Sequence, residues 1–167
     1  MLDARGHGGG DGIAEEVSRS RWVAPVTLWL AIAGAAVSAY LTLAHYTTPA
    51  ILACNTSRFV NCERVTTSSQ SALLGIPVAL LGLGWYGAMI ALCAPRAWAS
   101  PLRALHVART VSAACGMAFA LWLVRAELFV VHGICLWCTA VHVITFALFA
   151  IVVTHRKDRK GKAKGDT

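Results

Sequence analysis

The sequence predicts an all-α membrane protein, a four-helix transmembrane bundle with an extracytoplasmic capping loop or short surface helix. Of the 167 residues, 57% are hydrophobic and the mean hydropathy is +0.60, which excludes an ordinary soluble domain. Four apolar segments each approach the ~20 residues that a bilayer-spanning helix needs. Because lipid cannot satisfy backbone polar groups, each segment is expected to be helical. The segments are 22–46, 76–94, 105–124 and 134–154.

The positions of lysine and arginine predict how the bundle lies in the membrane. One side collects most of the basic residues, namely Arg19, Arg21, Arg96, Arg103, Arg109, Arg156, Lys157, Arg159, Lys160, Lys162 and Lys164. The opposite side carries Arg58, Arg64 and Arg125. We therefore predict a multi-pass protein with both termini cytoplasmic and with loops 47–75 and 125–133 outside, in a compartment that permits disulfide bonds.

Outside the apolar segments the chain consists of two tails. Residues 1–21 lack the basic start and short apolar core of a cleaved signal peptide, so we predict a disordered cytoplasmic tail. Residues 22–154 form the predicted transmembrane domain and residues 155–167 a basic cytoplasmic tail. A nucleic-acid patch is the weaker interpretation of this basic run, because juxtamembrane lysine and arginine commonly meet anionic lipid heads. Membrane lipid is the expected contact, and no nucleic-acid partner is expected.

A CxxC motif, Cys135 to Cys138, stands where the fourth apolar segment begins. This spacing serves thiol–disulfide exchange, since both sulfurs close one small ring and either can attack a partner's disulfide. In the first turn of a helix the two cysteines would share a face with His142, and the helix dipole would stabilise a thiolate. His142 is therefore a candidate hydrogen-bond donor to a carbonyl group. The alternative is a buried histidine bonded to neighbouring backbone.

A second cysteine pair, Cys54 and Cys62, lies in the outer loop, on the same side as the CxxC motif. Arg58 and Arg64 beside these cysteines favour the thiolate form, and two pairs on one side suggest a relay. The alternatives are a structural disulfide and half of a zinc site. The seven-residue gap departs from the usual zinc-ligand spacing, so no metal is expected. Two cysteines in apolar surroundings are predicted to be small buried hydrophobic residues: Cys93 and Cys115.

Three further residues are candidates for a ligand site near the outer mouth of the bundle. The stretch 63–75 is polar, then apolar, and ends in glycine, which suits a short helix on the membrane surface. Ser68 in this stretch would reach into the mouth, or it is an N-cap or surface hydroxyl. Trp85 and Tyr86 lie about two turns into the second segment. Flat aromatic walls suit a quinone ring, although these residues also serve as packing in membrane helices.

These motifs, taken in order, resemble the bacterial vitamin K epoxide reductase family. The resemblance is carried by Cys54 and Cys62, by Ser68 six residues later, by Gly75-Ile76-Pro77, and by the CxxC motif that opens the last helix. The stretch Ser38-Ala39-Tyr40-Leu41-Thr42 resembles the family as well, and the similarity covers about residues 22–154. It implies a four-helix bundle in the bacterial inner membrane, with a quinone pocket at the extracytoplasmic face.

The resemblance also implies an activity and a role for each cysteine. A periplasmic DsbA-like (thioredoxin-like) protein would be oxidised, and two electrons would pass to menaquinone or ubiquinone in support of disulfide bond formation. Cys54 would meet the partner, Cys62 would exchange with Cys135, and Cys138 would face the quinone. His142 stands where the vertebrate enzymes carry a tyrosine that bonds the quinone carbonyl. Because the chain ends at Thr167 without a fused thioredoxin-like domain, the partner is expected to be a separate protein.

Two other functions remain open at this stage. One is a quinone or quinone-epoxide reductase whose useful product is the reduced quinone. The other is a non-enzymatic membrane scaffold whose outer cysteines form structural disulfides. Bound quinone and turnover distinguish an enzyme from a scaffold, and loss of disulfide formation on deletion distinguishes an oxidase from a reductase.

Overall fold

The computed structural model describes the backbone of residues 9–47, 62–66, 68 and 71–165, and side chains within these ranges from residue 22 to residue 156 other than those of residues 63 and 64. The predicted all-α membrane fold is confirmed. Along the described ranges the elements are α1 (Gly9–Tyr46), α2 (Cys62–Thr66), β1 (Ala72–Leu73), β2 (Ile76–Pro77), α3 (Val78–Cys93), α4 (Pro95–Ala99), α5 (Arg103–Ala126), a π-helical segment (Glu127–Val131) and α6 (Leu136–Gly165).

Three stretches of the described helices are long and apolar enough to cross a membrane, namely Trp22–Tyr46, Arg103–Val131 and Leu136–Arg156. The remaining predicted span, 76–94, is the shorter apolar helix α3, which has 16 residues. Proline limits α3 at both ends. Pro77 is its N-cap residue, and Ala94 leaves the helical conformation with ψ 143° directly before Pro95.

The helices run further into the tails than the composition predicted. Helix α1 begins at Gly9, within the stretch 1–21 for which disorder was predicted, and α6 continues to Gly165. The division of the chain into two tails and a membrane domain at residues 22 and 154 stays a prediction.

The outer segment 63–75 folds differently from the single surface helix that its polarity pattern suggested. Helix α2 covers only Cys62–Thr66, and the strands β1 and β2 then pair antiparallel with Ala72 opposite Pro77. The tight turn between the strands puts Leu74 and Gly75 in left-handed backbone, with φ 54° and 82°. Glycine adopts this conformation without strain, so the glycine marks a hairpin turn rather than the end of a helix.

The helices α1, α3, α5 and α6 pack around two groups of buried residues. Helix α1 packs against α3 and α6, and α5 packs against α6 and α3. A Cβ atom at Gly34 would overlap the Tyr86 ring, so α1 and α3 approach closely where glycine leaves room. The central core consists of Ala31, Tyr86, Met89, Cys93, Ala113, Leu148 and Val152. A second packed group, called the outer cluster below, consists of Leu41, Ala44, Cys62, Val65, Val131 and Cys135.

A buried arginine joins four helices at the end of the bundle where α4 lies. The Arg109 guanidinium lies 3.7 Å from the centroid of the Trp98 ring, and Arg109 Nε donates a hydrogen bond to the Leu92 carbonyl oxygen at 2.8 Å. Trp98 Nε1 donates in turn to Thr27 Oγ1 at 3.3 Å. These contacts bind α1, α3, α4 and α5 together with hydrogen bonds and a cation–π interaction.

Candidate redox site

A cavity of about 370 Å³ lies among the helices and is lined mainly by apolar atoms. Five residues that the sequence analysis selected as ligand contacts line its wall together, namely Ser68, Trp85, Tyr86, Cys138 and His142. This volume falls in the range of sites for small organic ligands. The residues come from the outer loop, α3 and α6, so tertiary packing brings together positions that are more than seventy residues apart in the chain.

The two cysteines of the CxxC motif occupy different positions relative to the helix. Helix α6 begins at Leu136, so Cys135 stands immediately before the helix and not in its first turn as predicted. The Cys138 N–H donates to Cys135 Sγ at 3.3 Å, and the Thr139 N–H donates to the Cys135 carbonyl oxygen at 2.9 Å. Cys135 therefore acts as an N-cap, with sulfur in the place of the usual side-chain oxygen.

This position changes the acidity of the Cys135 thiol. Its pKa lies below the ordinary value, chiefly because the Cys138 thiol donates a hydrogen bond to its sulfur. Backbone N–H groups at the start of α6 act in the same direction, while burial and the charge of Glu127 act against it. Cys135 is thus the cysteine of the motif in which a thiolate is stabilised by its surroundings.

Cys135 also connects the cavity wall to the outer loop. It is fully buried and belongs to the outer cluster, as does Cys62, which is 1% exposed and disulfide-bonded. Cys135 and Cys138 are free thiols, and Cys138 lines the cavity. Cys54, the other predicted member of the loop pair, lies outside the described residues. Cys135, at the start of α6, therefore shares the outer cluster with the loop cysteine Cys62 and is hydrogen-bonded to Cys138 at the cavity.

His142 faces the cavity one helical turn below Cys138. The side chain is 5% exposed and lines the cavity wall. Within the described part of the chain, no residue makes a hydrogen bond to its ring. The alternative of a histidine bonded to neighbouring backbone therefore finds no partner there, and the imidazole borders the cavity.

The aromatic residues of α3 have their polar atoms engaged elsewhere and present their rings to the cavity. Trp85 Nε1 donates to the Ser112 carbonyl oxygen at 3.1 Å. The Tyr86 hydroxyl donates to the Val141 carbonyl oxygen at 3.0 Å and pairs with Thr145. The two rings meet edge to face at 4.8 Å. These residues therefore pack the helices against one another and also line the cavity, and their role as walls for a quinone ring stays a prediction.

Ser68 lines the cavity, but its hydroxyl proton is donated to neighbouring backbone. Its Oγ donates to the Val65 carbonyl oxygen at 2.8 Å, in the bend that follows α2. The hydroxyl therefore offers a ligand an acceptor rather than a donor. The neighbouring Ser71 donates to the Ser68 carbonyl oxygen at 2.7 Å and continues this turn.

Three titratable residues that were not predicted to belong to the site also line the cavity, namely His45, Cys115 and Glu127. The prediction that Cys115 is buried is wrong, because the residue is exposed and borders the cavity, whereas Cys93 is fully buried as predicted. Glu127 lies beyond Val124, where the third predicted span ends. Glu127 is nevertheless helical, because the π-helical segment follows directly after the last residue of α5.

The fold and the site together describe a membrane-embedded helical bundle in which a CxxC dithiol borders an apolar cavity. The family model described as vitamin K epoxide reductase family matches residues 25–153. This match covers most of the chain, and the chain therefore belongs to the vitamin K epoxide reductase family. Family members are membrane oxidoreductases that use quinones and generally pair with thioredoxin-like redox partners. A comparison with curated proteins gives no match.

Proposed function

We propose that this protein oxidises a separate, periplasmic thioredoxin-like partner and passes two electrons to a membrane quinone, thereby supporting disulfide bond formation. The observation that carries the proposal is the position of Cys135. Its sulfur packs in the outer cluster with the disulfide-bonded Cys62, and it accepts a hydrogen bond from Cys138 at the cavity wall. Electrons that enter at the loop would reach the cavity through Cys135, which shares a packed cluster with Cys62 and a hydrogen bond with Cys138.

The cavity fits a quinone ring. Its lining is mainly apolar, Trp85 and Tyr86 supply aromatic walls, and the His142 ring has no hydrogen-bond partner within the described ranges. His142 would hold a carbonyl oxygen, and the Ser68 hydroxyl oxygen would accept a bond from a reduced ring. When bound, a quinone takes up two electrons and two protons. The rings of menaquinone and ubiquinone both meet these requirements.

The thiol half of the reaction proceeds by two exchanges. The disulfide of Cys62, for which we propose Cys54 as the partner sulfur, takes two electrons from the partner protein's dithiol, which becomes a disulfide. The resulting loop dithiol then reduces a Cys135–Cys138 disulfide, and the loop disulfide forms again. The lowered pKa of Cys135 suits it to this step, because a thiolate is both the attacking and the leaving group in thiol exchange.

We place this site on the extracytoplasmic side of a bacterial inner membrane, with both termini cytoplasmic. The support is the excess of lysine and arginine near the termini and between α3 and α5. A membrane-impermeant thiol reagent, applied to intact cells after reduction, should label the loop cysteines. Labelling that requires cell lysis would contradict this orientation.

The direct test is a reconstituted reaction. Purified protein is mixed with a reduced thioredoxin-like partner and quinone, and quinol and partner disulfide are measured together. We expect one quinol for each partner disulfide, and no turnover in Cys135→Ala or Cys138→Ala, whereas Cys93→Ala retains turnover because that cysteine is buried away from the cavity. Absence of turnover in the wild type would favour a scaffold. Normal disulfide formation in cells that lack the protein would favour a reductase.

A further inference from the structure

Glu127 is an acid at the cavity wall to which the proposed thiol reaction assigns no role. It is the first residue of the π-helical segment, is 8% exposed, and lines the same cavity as Cys138 and His142. No hydrogen bond or ion pair reaches its carboxylate from any residue that the structure describes. An unpaired carboxylate in apolar surroundings is costly, and an ionisable residue inside a membrane span points to a functional role.

The backbone fixes Glu127 in place. Its carbonyl oxygen accepts hydrogen bonds from the N–H groups of His132 and Gly133, and His132 takes the left-handed conformation that ends the segment. The backbone of Glu127 is therefore anchored beside the cavity, while its carboxylate oxygens have no protein partner among the described residues. An acid that is positioned in this way can exchange protons with whatever occupies the cavity.

The groups around Glu127 indicate the direction of that exchange. Its charge acts on both thiols of the CxxC motif and opposes the thiolate of Cys135. The titratable residues that line the cavity with Glu127 are His45 from α1, Tyr86 from α3, Cys115 from α5, and Cys138 and His142 from α6. Arg125 and His132 flank it in sequence, and Cys135 caps α6 within reach of its charge. Cys62, from α2, is disulfide-bonded. The thiols are the proton-bearing groups on which its charge acts directly.

We propose that Glu127 carries protons from the Cys135–Cys138 dithiol to a quinone bound in the cavity. The proposal rests on the proposed function above. In one turnover two S–H bonds break, one S–S bond and two O–H bonds form, and two electrons and two protons leave the dithiol for the quinone. The carboxylate accepts the proton of Cys138, delivers it to a quinone oxygen, and then repeats this transfer with the proton of Cys135. Glu127 therefore ends the turnover as the carboxylate with which it began.

The test uses Glu127→Gln, which keeps the size of the side chain and removes its proton exchange, and Glu127→Asp, which restores the carboxyl group. The matched control is Arg125→Gln, because Arg125 is exposed two residues away and does not line the cavity. We expect quinol formation to fall by about 10²-fold or more in Glu127→Gln, as for the loss of a general acid–base group. Glu127→Asp should recover part of the rate, and Arg125→Gln should keep the wild-type rate.

A second measurement is made without quinone. The fraction of Cys135 thiolate is followed by its ultraviolet absorbance as the pH of the reduced protein is raised. In Glu127→Gln the midpoint should shift to lower pH, because the negative charge that opposes the thiolate is gone. A residue that only supported the fold would not produce this shift together with recovery of turnover by Asp.

The outcomes separate the two proposals. If the wild type couples partner thiols to quinol and Glu127→Gln turns over at the same rate, the proton-carrier role is wrong while the proposed function stands. If Glu127→Asp stays as slow as Glu127→Gln and the thiolate midpoint of the Gln variant does not move, the role is also wrong. If the wild type produces no quinol from partner thiols, both proposals fall.

Discussion

The backbone N–H of Cys138 donates a hydrogen bond to the sulfur of Cys135 at 3.3 Å, and this bond makes the first cysteine of the motif the N-cap of α6. The two cysteines therefore differ in chemistry although they belong to one short motif. Cys135 lies at the helix end among hydrogen-bond donors, and Cys138 lies inside the helix at the cavity wall.

The first prediction concerns pH. The Cys135 thiol has a lowered pKa mainly because the Cys138 thiol donates to its sulfur, so the thiolate forms at lower pH than in an ordinary cysteine. Removing the donor in Cys138→Ala should move the midpoint of thiolate formation to higher pH, measured by ultraviolet absorbance of the reduced protein. Cys138→Ser, whose hydroxyl still donates, should move it less. Equal midpoints in wild type and Cys138→Ala would contradict the assigned cause.

The second prediction concerns ligand binding. If the His142 ring donates to a quinone carbonyl, His142→Ala should weaken quinone binding by about 1–3 kcal/mol, the cost of a buried donor or acceptor left without its partner. Mixed-disulfide formation with the thiol partner should be retained. The control is Val143→Ala, because Val143 is exposed and does not line the cavity. An unchanged dissociation constant for quinone in His142→Ala would mean that His142 packs in the bundle without bonding the quinone.

The third prediction concerns the close approach of α3 and α5. A Cβ atom at Gly116 would overlap the Trp85 ring, whereas a Cβ atom at Gly87 would meet no atom within 4 Å. Gly116→Ala should therefore lower the stability by about 1–3 kcal/mol through overpacking. Gly87→Ala should be neutral or stabilising, because alanine favours a helix more than glycine does. Thermal unfolding in detergent measures both, and equal midpoints for the two variants would argue against this packing.

The fourth prediction concerns the order of the loop cysteines. If Cys54 meets the partner and Cys62 resolves the mixed disulfide, Cys62→Ala should accumulate a covalent complex with the partner, visible on a non-reducing gel. Cys54→Ala should instead trap an internal disulfide between Cys62 and Cys135, since these two residues share the outer cluster. A complex that forms through Cys62 would reverse the order. No trapped partner in either variant would indicate a structural loop disulfide.

Much of the fold was predictable because bilayer thickness restricts apolar segments to a narrow range of lengths. The exceptions have local causes. Proline shortens α3 at both ends, and a glycine turn converts part of the expected surface helix into a hairpin. Hydropathy does not detect either effect, because neither depends on the average polarity of a segment.

Part of the candidate site was predictable from spacing. Cys138 and His142 are four residues apart, so any helix places them on one face, and both line the cavity. Glu127 and Cys115 were missed because their positions depend on the packing of α5 against its neighbours and on the π-helical continuation of that helix. In the sequence, a single acid at the edge of an apolar segment looks the same whether it belongs to the helix or to the loop that follows.

The capping role of Cys135 has a consequence for the helix itself. A sulfur that is bonded to a second sulfur is a weaker hydrogen-bond acceptor than a thiolate, so oxidation of Cys135 weakens the bond on which the start of α6 depends. The redox state of the Cys135–Cys138 pair is therefore coupled to the local stability of the N-terminus of α6. Slow amide hydrogen exchange at Cys138 in the reduced protein, and faster exchange in the oxidised protein, would make that terminus a reporter of the redox state.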